Sequence, residues 1–530
     1  MRRLKSALLP TLGRPTTATV AGRSIFPSPA GSSTICTGLA SDRRSAAPIG
    51  PEDFETGANG SRRPMASIYI ETFGCQMNEA DSQYIADRAA SAGYAIAGRP
   101  EEANVLVLNT CTVRDNAERR AYGRMNHFKV LKDADPQVRL IVTGCLAEQD
   151  RDRMRSLAPH VDAVFGTKEL VQLGDQLIAW QPNFADEIDF SEDRALLMPL
   201  GGTADAVAGA FSPLRAFVNV QRGCSYYCTF CIVPHVRGRF DHRPLAAISG
   251  EVEEKIASGA REVMLVGQTV NAWKDPAGGA DFGDLCRAVA RLPRLERLTF
   301  ISPHPKDFTE KIIADLGELP QLNPRIHLPL QSASDPVLRR MNRKYTAAQF
   351  HEKVEFVHRY LPGWAITTDI IVGFPGESDE DFENTLRYVR SGVFANAFTF
   401  MYSIRRGTPA ARWEQVPHDV AAARFARLID AQNAVTRAYH DAKIGTMVRA
   451  LITGPSKKDA GKLAAKSLDN VTVIAPKPDD YDETVYAREP WIDVEIAAAH
   501  VWGCTGAIVA RAQRYAESGD AVKRAVVSLL

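Results

Sequence analysis

Six short apolar runs govern what this chain can fold into. They begin near Ala216, Glu262, Arg297, Arg325, Ala365 and Ala397, roughly 30–45 residues apart, with helical segments between most of them. Strands joined by helical crossovers lie parallel, because each crossover returns the chain in the same direction. Six such units make a partly closed parallel barrel, smaller than the eight-unit form. Functional side chains in such barrels gather at the carboxyl ends of the strands. The loop after the first run is therefore the first place to look for chemistry.

That loop reads Gly223-Cys224-Ser225-Tyr226-Tyr227-Cys228-Thr229-Phe230-Cys231, a C-x3-C-x2-C spacing. Three thiolates are one too few for a cubane iron–sulfur cluster, which has four irons. The fourth iron stays open for a ligand that is not protein. Zinc is the competing reading. It takes four ligands, usually as two separated pairs, and His235 or His242 could complete a Cys3His site. A tight triplet on a barrel strand favours the iron–sulfur cluster.

Upstream the pattern is also α/β. Ser67–Thr72, Asn104–Asn109 and Arg139–Thr143 read as strands, with a helix over Asp81–Gly93 and a basic helical stretch from about Ala117 to Lys132. Cys75, Cys111 and Cys145 each follow one of these strands. In a parallel sheet neighbouring carboxyl ends meet along one edge, so the three thiols are expected to converge on a second cluster, again with an open iron. Cys36, Cys286 and Cys504 remain and read as structural or tail thiols.

Nine cysteines in 530 residues are too sparse for a disulfide scaffold, so the thiols read as reduced and cytoplasmic. The net charge of +1 advertises no nucleic-acid partner, and no apolar run approaches a membrane span. Residues 1–64 read as a disordered or non-native leader. Met1–Ser41 lacks acids and carries several arginines, so organelle targeting stays open, as does initiation at Met65. Residues 66–182 form the first domain, 183–209 a linker, 210–440 the barrel, 443–512 a small all-β module and 513–530 a tail.

In the last module Thr446–Thr453, Asn470–Ile474 and Trp491–Ile496 read as strands without intervening helices. Lys443–Lys466 holds six cations (Lys443, Arg449, Lys457, Lys458, Lys462 and Lys466) against one acid, Asp459. This reads either as a solvated loop or as a contact to RNA phosphates, with Lys457, Lys458 and Lys462 as candidates.

The chain resembles the methylthiotransferase family of the radical S-adenosylmethionine (SAM) superfamily over roughly residues 66–512. The resemblance rests on Thr72-Phe-Gly-Cys-Gln-Met-Asn-Glu-Ala-Asp81, Asn109-Thr-Cys-Thr-Val-Arg114, Thr143-Gly-Cys145, the radical triplet, Leu328-Pro-Leu-Gln-Ser332, Met341-Asn-Arg-Lys-Tyr-Thr346 and a terminal β module of the TRAM type. It implies two 4Fe–4S clusters, one on Cys75, Cys111 and Cys145, the other on Cys224, Cys228 and Cys231, with SAM chelated by the open iron of the second. Phe230, Gly267, Gln268 and Asn271 fall where SAM contacts are expected. Gly74-Cys75-Gln76-Met77-Asn78 resembles the branch that modifies isopentenyl-adenosine beside the tRNA anticodon. The implied partners are a tRNA anticodon arm, a reductant such as flavodoxin or ferredoxin, and a sulfur donor. Sister branches acting on threonylcarbamoyl-adenosine or on a ribosomal protein aspartate are the alternative, and a non-enzymatic RNA-binding iron–sulfur sensor is a further one. Thr269, Ala333, Ile404 and Arg406 depart from residues usual in the family.

Overall fold

The computed structural model describes residues 66–112, 115–180 and 215–512. The expected leader, Met65, Cys36, the linker 183–209 and the tail 513–530 lie outside the described residues.

The first domain is a five-stranded parallel sheet. Its strands are β1 (Ser67–Thr72), β2 (Ala95–Ile96), β3 (Val105–Thr110), β4 (Arg139–Gly144) and β5 (Ala163–Phe165), in the order β2-β1-β3-β4-β5. β3 is buried at every position, which is why its sequence is a continuous apolar run rather than an alternation. Helices cover both faces, giving one core around Leu106, Met125 and Phe128 and another around Ile70, Ile85 and Leu173. The helix expected over Asp81–Gly93 runs instead from Gln76 to Ser91, with Cys75 as its N-cap. No side-chain cap bond marks that start, so propensity alone placed it a turn late.

The six expected runs are all strands of the second domain: β6 (Arg215–Asn219), β9 (Glu262–Val266), β10 (Arg297–Phe300), β11 (Arg325–His327), β12 (Ala365–Val372) and β13 (Asn396–Met401). A short antiparallel pair, β7 (Gln221–Arg222) with β8 (Asp241–His242), flanks the cysteine loop. The six parallel strands pair as β10-β9-β6 and β11-β12-β13, and a parallel bridge between Leu298 and Leu322 joins the two halves. Cys286 lies wholly buried in the core around them, as a small apolar side chain would.

The last module is a closed barrel of five strands, β14 (Met447–Ser456), β15 (Asp459–Ser467), β16 (Thr472–Pro476), β17 (Trp491–His500) and β18 (Gly503–Arg511). Three strands were expected. β15 was missed because its lysines read as loop, yet Leu463, Ala465 and Ser467 alternate inward along it. β14 runs through Gly454-Pro455, which reads as a turn, by taking a register shift there. A helix, Glu483–Arg488, also interrupts the strands, because the Asp482 carboxylate caps the N–H groups of Thr484 and Val485.

The module docks against the amino end of the half-barrel. Trp491 Nε1–H donates to Glu296 at 2.9 Å, Tyr439 O–H donates to Asp469 at 2.5 Å, and Lys443 pairs with Asp469 at 2.6 Å. Lys466 points into this seam. Burial, reinforced by Arg325, Arg215 and Arg297, pushes its ammonium down to about 8. Below pH 8 the lysine is charged in both folded and unfolded chains and its desolvation penalty is complete. Between pH 8 and its unfolded value near 10.5 the unfolded chain binds more protons, so stability rises with pH. Lys466→Met is therefore expected to stabilise the protein by about 2–3 kcal/mol at pH 7. That advantage should shrink towards zero by pH 10.5 in paired urea titrations.

Candidate functional site

The register of the first sheet brings its three cysteines to one edge. Thr72 stands opposite Asn109, Asn109 opposite Thr143, and Thr110 opposite Gly144. Cys111 and Cys145 directly follow β3 and β4, and Cys75 comes three residues after β1. Cys111 and Cys145 are buried and Cys75 is exposed, so the edge has a wet side. Burial raises the Cys145 thiol, Arg237 opposes that rise, and Cys75 lies close enough to add to it.

A web of buried amides holds these loops. Asn78 Nδ2 donates to Asn109 Oδ1 at 2.8 Å and to the Thr110 carbonyl at 3.1 Å. Asn109 Nδ2 returns bonds to the Asn78 carbonyl and Ser82 Oγ, both at 2.9 Å. Gly74 leaves room for the Asn78 side chain, which any Cβ there would strike. Gly144 has φ +99° and its missing Cβ would overlap the Thr110 carbonyl, so only glycine turns β4 into the helix that begins at Cys145.

The second triad lies at the carboxyl end of β6. Its loop hangs from the segment 340–343. Thr229 N–H donates to the Met341 carbonyl at 3.1 Å. Asn342 Nδ2 donates to the Tyr226 and Tyr227 carbonyls at 3.1 and 2.9 Å. Arg343 donates to Cys228 Sγ at 3.5 Å, to Tyr345 Oη at 2.9 Å and to the Pro329 carbonyl at 3.2 Å. The Met341–Thr346 run is thus a cradle for the cysteine loop, a role its sequence alone did not announce. Burial pushes the Cys231 thiol up to about 12, with Cys228 beside it adding to the rise, and burial also raises Cys224.

The other predicted residues fall around this loop. Gln268 Oε1 accepts the Gly223 N–H at 2.5 Å, and Gly267 passes so close to Gln221 that a Cβ would meet its carbonyl at 2.9 Å. Thr269, one of the departures from the family pattern, sits 3.4 Å from Cys224 Sγ through its hydroxyl. Both amide atoms of Asn271 bond the His304 backbone, so its side chain holds the loop after β10. Phe230 packs edge-on to Phe374 at 6.3 Å among Val337, Met341 and Ala410. Lys457 and Lys458 are the exposed tip of the β14–β15 hairpin, and Lys462 pairs with Asp459 at 3.1 Å. Of the other cations in that stretch, Lys443 and Arg449 are paired to acids and Lys466 is half-buried in the seam, so little of the charge excess is offered freely to solvent.

His304 escaped the sequence reading, as did Tyr226 and Asp307. The His304 ring lies 4.5 Å from that of Tyr226, whose hydroxyl donates to Asp307 at 2.5 Å. Burial, then Arg343 and Lys306, pushes His304 far below its ordinary value, so the ring is neutral. Its Nδ1 accepts the Lys306 N–H at 3.2 Å, which leaves the proton on Nε2.

Both triads can be tested against the groups they would hold. In neither do the three sulfurs all lie within 4.8 Å of one another; among the described residues only Asp281, Asp284 and Asp315 form such a group. A tetrahedral zinc, with Zn–S near 2.3 Å, would draw its sulfurs to about 3.8 Å. The three aspartates are paired with Lys311 and Arg287 in an ion-pair network. Beside the second triad, Gln268 Nε2, His304 Nε2 and Asp307 Oδ2 are buried without a partner among the described residues. Unused donors together with an unused acceptor fit a ligand bearing both ammonium and carboxylate.

Comparison with known proteins agrees with this geometry. Residues 218–389 match the model of the Radical SAM superfamily, and residues 67–166 match that of Uncharacterized protein family UPF0004. The fold and site therefore define a radical SAM enzyme with an amino-terminal α/β domain, a class that works with a 4Fe–4S cluster and SAM. The tRNA-2-methylthio-N(6)-dimethylallyladenosine synthase of Streptomyces coelicolor is 38% identical over 476 residues, covering 88% of this chain and 92% of that protein. The protein of the same name from Acidothermus cellulolyticus is 42% identical over 411 residues, 76% of this chain and 81% of its own length. The chain belongs to the tRNA-2-methylthio-N(6)-dimethylallyladenosine synthase family. Among solved structures, the radical SAM methyltransferase TsrM from Kitasatospora setae aligns with TM-score 0.45 and 14% identity over 62% of this chain and 72% of that one, too distant to inform the site.

The amide web gives a test. Asn109→Ala removes three buried hydrogen bonds, one accepted from the Asn78 amide and two donated to the Asn78 carbonyl and the Ser82 hydroxyl, each worth about 1 kcal/mol. The expected outcome is a loss of about 2–4 kcal/mol in urea unfolding of the iron-free protein, together with reduced iron uptake after reconstitution.

Proposed function

We propose that this chain adds a methylthio group to carbon 2 of isopentenyl-adenosine next to the anticodon of tRNA. The activity named for its relatives supports this reading, and one observation in the structure supports it most. Two separate triads of cysteines lie at the carboxyl ends of two parallel sheets, and one short segment joins them. Cys231 belongs to the second triad. Ile232 and Val236, which follow it, pack on Cys145 of the first.

On this reading Cys75, Cys111 and Cys145 hold one 4Fe–4S cluster and Cys224, Cys228 and Cys231 hold another. When bound, the second cluster with SAM supplies one-electron chemistry, which an unactivated aromatic C–H requires because its proton is not usefully acidic. The chain's own residues do the positioning. Gln268, Gly267 and the neutral His304 shape the polar side of the SAM pocket, and Phe230 with Phe374 shapes its apolar side. Asn271 works from behind by fixing the His304 loop, and Arg343 fixes Cys228. Residues 66–182, 210–440 and 443–512 serve as the sulfur-bearing, radical-generating and RNA-holding domains. Lys457, Lys458 and Lys462 contact phosphate without reading sequence, and the target base is unstacked to reach the barrel mouth, at a cost of a few kcal/mol. A reductant such as flavodoxin or ferredoxin and a sulfur donor complete the set of partners. Among the described residues no helix is long and apolar enough to cross a membrane.

Two measurements test the proposal. The chain reconstituted without oxygen should bind about eight irons, and Cys228→Ala about four while forming no 5′-deoxyadenosine. Nucleosides from tRNA of a deletion strain should lack the methylthio group and regain it on complementation. Intact methylthio-adenosine in the deletion strain would assign the chain to another substrate.

A further inference from the structure

The segment that joins the two triads ends in an arginine with an unusual position. Arg237 lies six residues beyond Cys231, after the helix Val233–Val236, yet its side chain is in the other domain. Its Nε–H donates to Cys145 Sγ at 3.2 Å. Its Nη2 pairs with Asp81 Oδ2 at 2.7 Å, and the two side chains are only 5% and 3% exposed. The approach is fixed from behind as well. Thr167 Oγ1–H donates to the Val236 carbonyl at 2.5 Å, and Lys255 pairs with Asp87 at 3.2 Å on the same helix that bears Asp81.

We propose that Arg237 is a positioning residue for the amino-terminal cluster: from across the domain boundary it orients the Cys145 sulfur and raises the reduction potential of the centre that sulfur helps to hold. The inference rests on the reading that Cys75, Cys111 and Cys145 carry a cluster. The physical ground is charge. Reduction adds one negative charge to an already anionic iron–sulfur–thiolate unit. A guanidinium with an N–H aimed at one ligand sulfur stabilises the reduced form more than the oxidised form. The Asp81 carboxylate fixes the guanidinium plane and partly offsets its charge, as outer partners of metal ligands commonly do. Because Arg237 and Cys231 share one short segment, docking of the radical domain and tuning of the first centre are one event. The two centres then face each other in a single arrangement, set by backbone rather than by a mobile side chain.

The test uses the full chain with Cys224, Cys228 and Cys231 changed to alanine, so that only the first centre takes up iron. In that background Asp81→Asn keeps an acceptor for the guanidinium but removes the opposing charge. Arg237→Gln with Asp81→Asn replaces the buried pair by neutral groups and leaves no unpaired charge to unfold the interface. EPR-monitored redox titration is expected to show the midpoint moving up in Asp81→Asn and down in the double variant. Iron loss to a chelator should be roughly 10- to 100-fold faster in the double variant. Equal midpoints and equal iron loss in all three proteins, each fully loaded, would overturn the role of Arg237. A parent that takes up no iron at all would overturn the underlying cluster reading instead.

Discussion

The ion pair between Arg237 and Asp81 is buried on both sides and joins the two parts of the chain that bear sulfur. Removing two charges from water is costly, and such a pair seldom stabilises a fold more than well-packed apolar groups would. Its effect is on uniqueness. Either partner left alone in that seam would cost about 3–5 kcal/mol, so domain arrangements that separate them are disfavoured. The correct arrangement places Ile232 and Val236 against Cys145 and brings the two cysteine triads to one region. Arg406 with Asp150 and Lys255 with Asp87 repeat the same logic nearer the surface, where each pair is worth less.

Around that seam each triad is built in a similar way. Strand ends supply the cysteines, a left-handed glycine makes the turn, and polar side chains from a neighbouring loop hold the backbone. Gly144 and the Asn78–Asn109 amides do this in the first sheet, and Gly223 with Asn342 does it in the half-barrel. Each triad also has an arginine donating to a sulfur, the buried Arg237 to Cys145 and the half-buried Arg343 to Cys228. On the proposed reading, an anionic cluster at either triad meets a fixed positive partner.

Much of this was legible in the residues. The six barrel strands begin within a residue of where apolar periodicity places them, because each is bounded by a helix and a polar turn. Three of the five strands of the first sheet were legible for the same reason, and with them the placing of Cys75, Cys111 and Cys145 after strand ends along one edge; the short β2 and β5 were not. The last module was read less well. β15 is rich in lysine and alanine, so its inward alternation of Leu463, Ala465 and Ser467 is faint until a partner strand covers it. The lysines there looked like one basic patch, but Lys466 turns into the seam and Lys462 pairs with its neighbour Asp459.

By itself the sequence determined the parts whose physics is local. These are the strand–helix alternation, the cysteine spacing that leaves an iron unligated, and the glycines that allow left-handed turns. Tertiary structure alone decided which groups far apart in the chain share a site. His304 lies against Tyr226, Asn342 holds the cysteine loop and Arg237 crosses to Cys145, over separations of 78, 115 and 92 residues that no periodicity encodes. The first two contacts arise from packing within the half-barrel and the third from packing it against the first domain, and a one-dimensional pattern carries only the partners' chemistry, not their meeting.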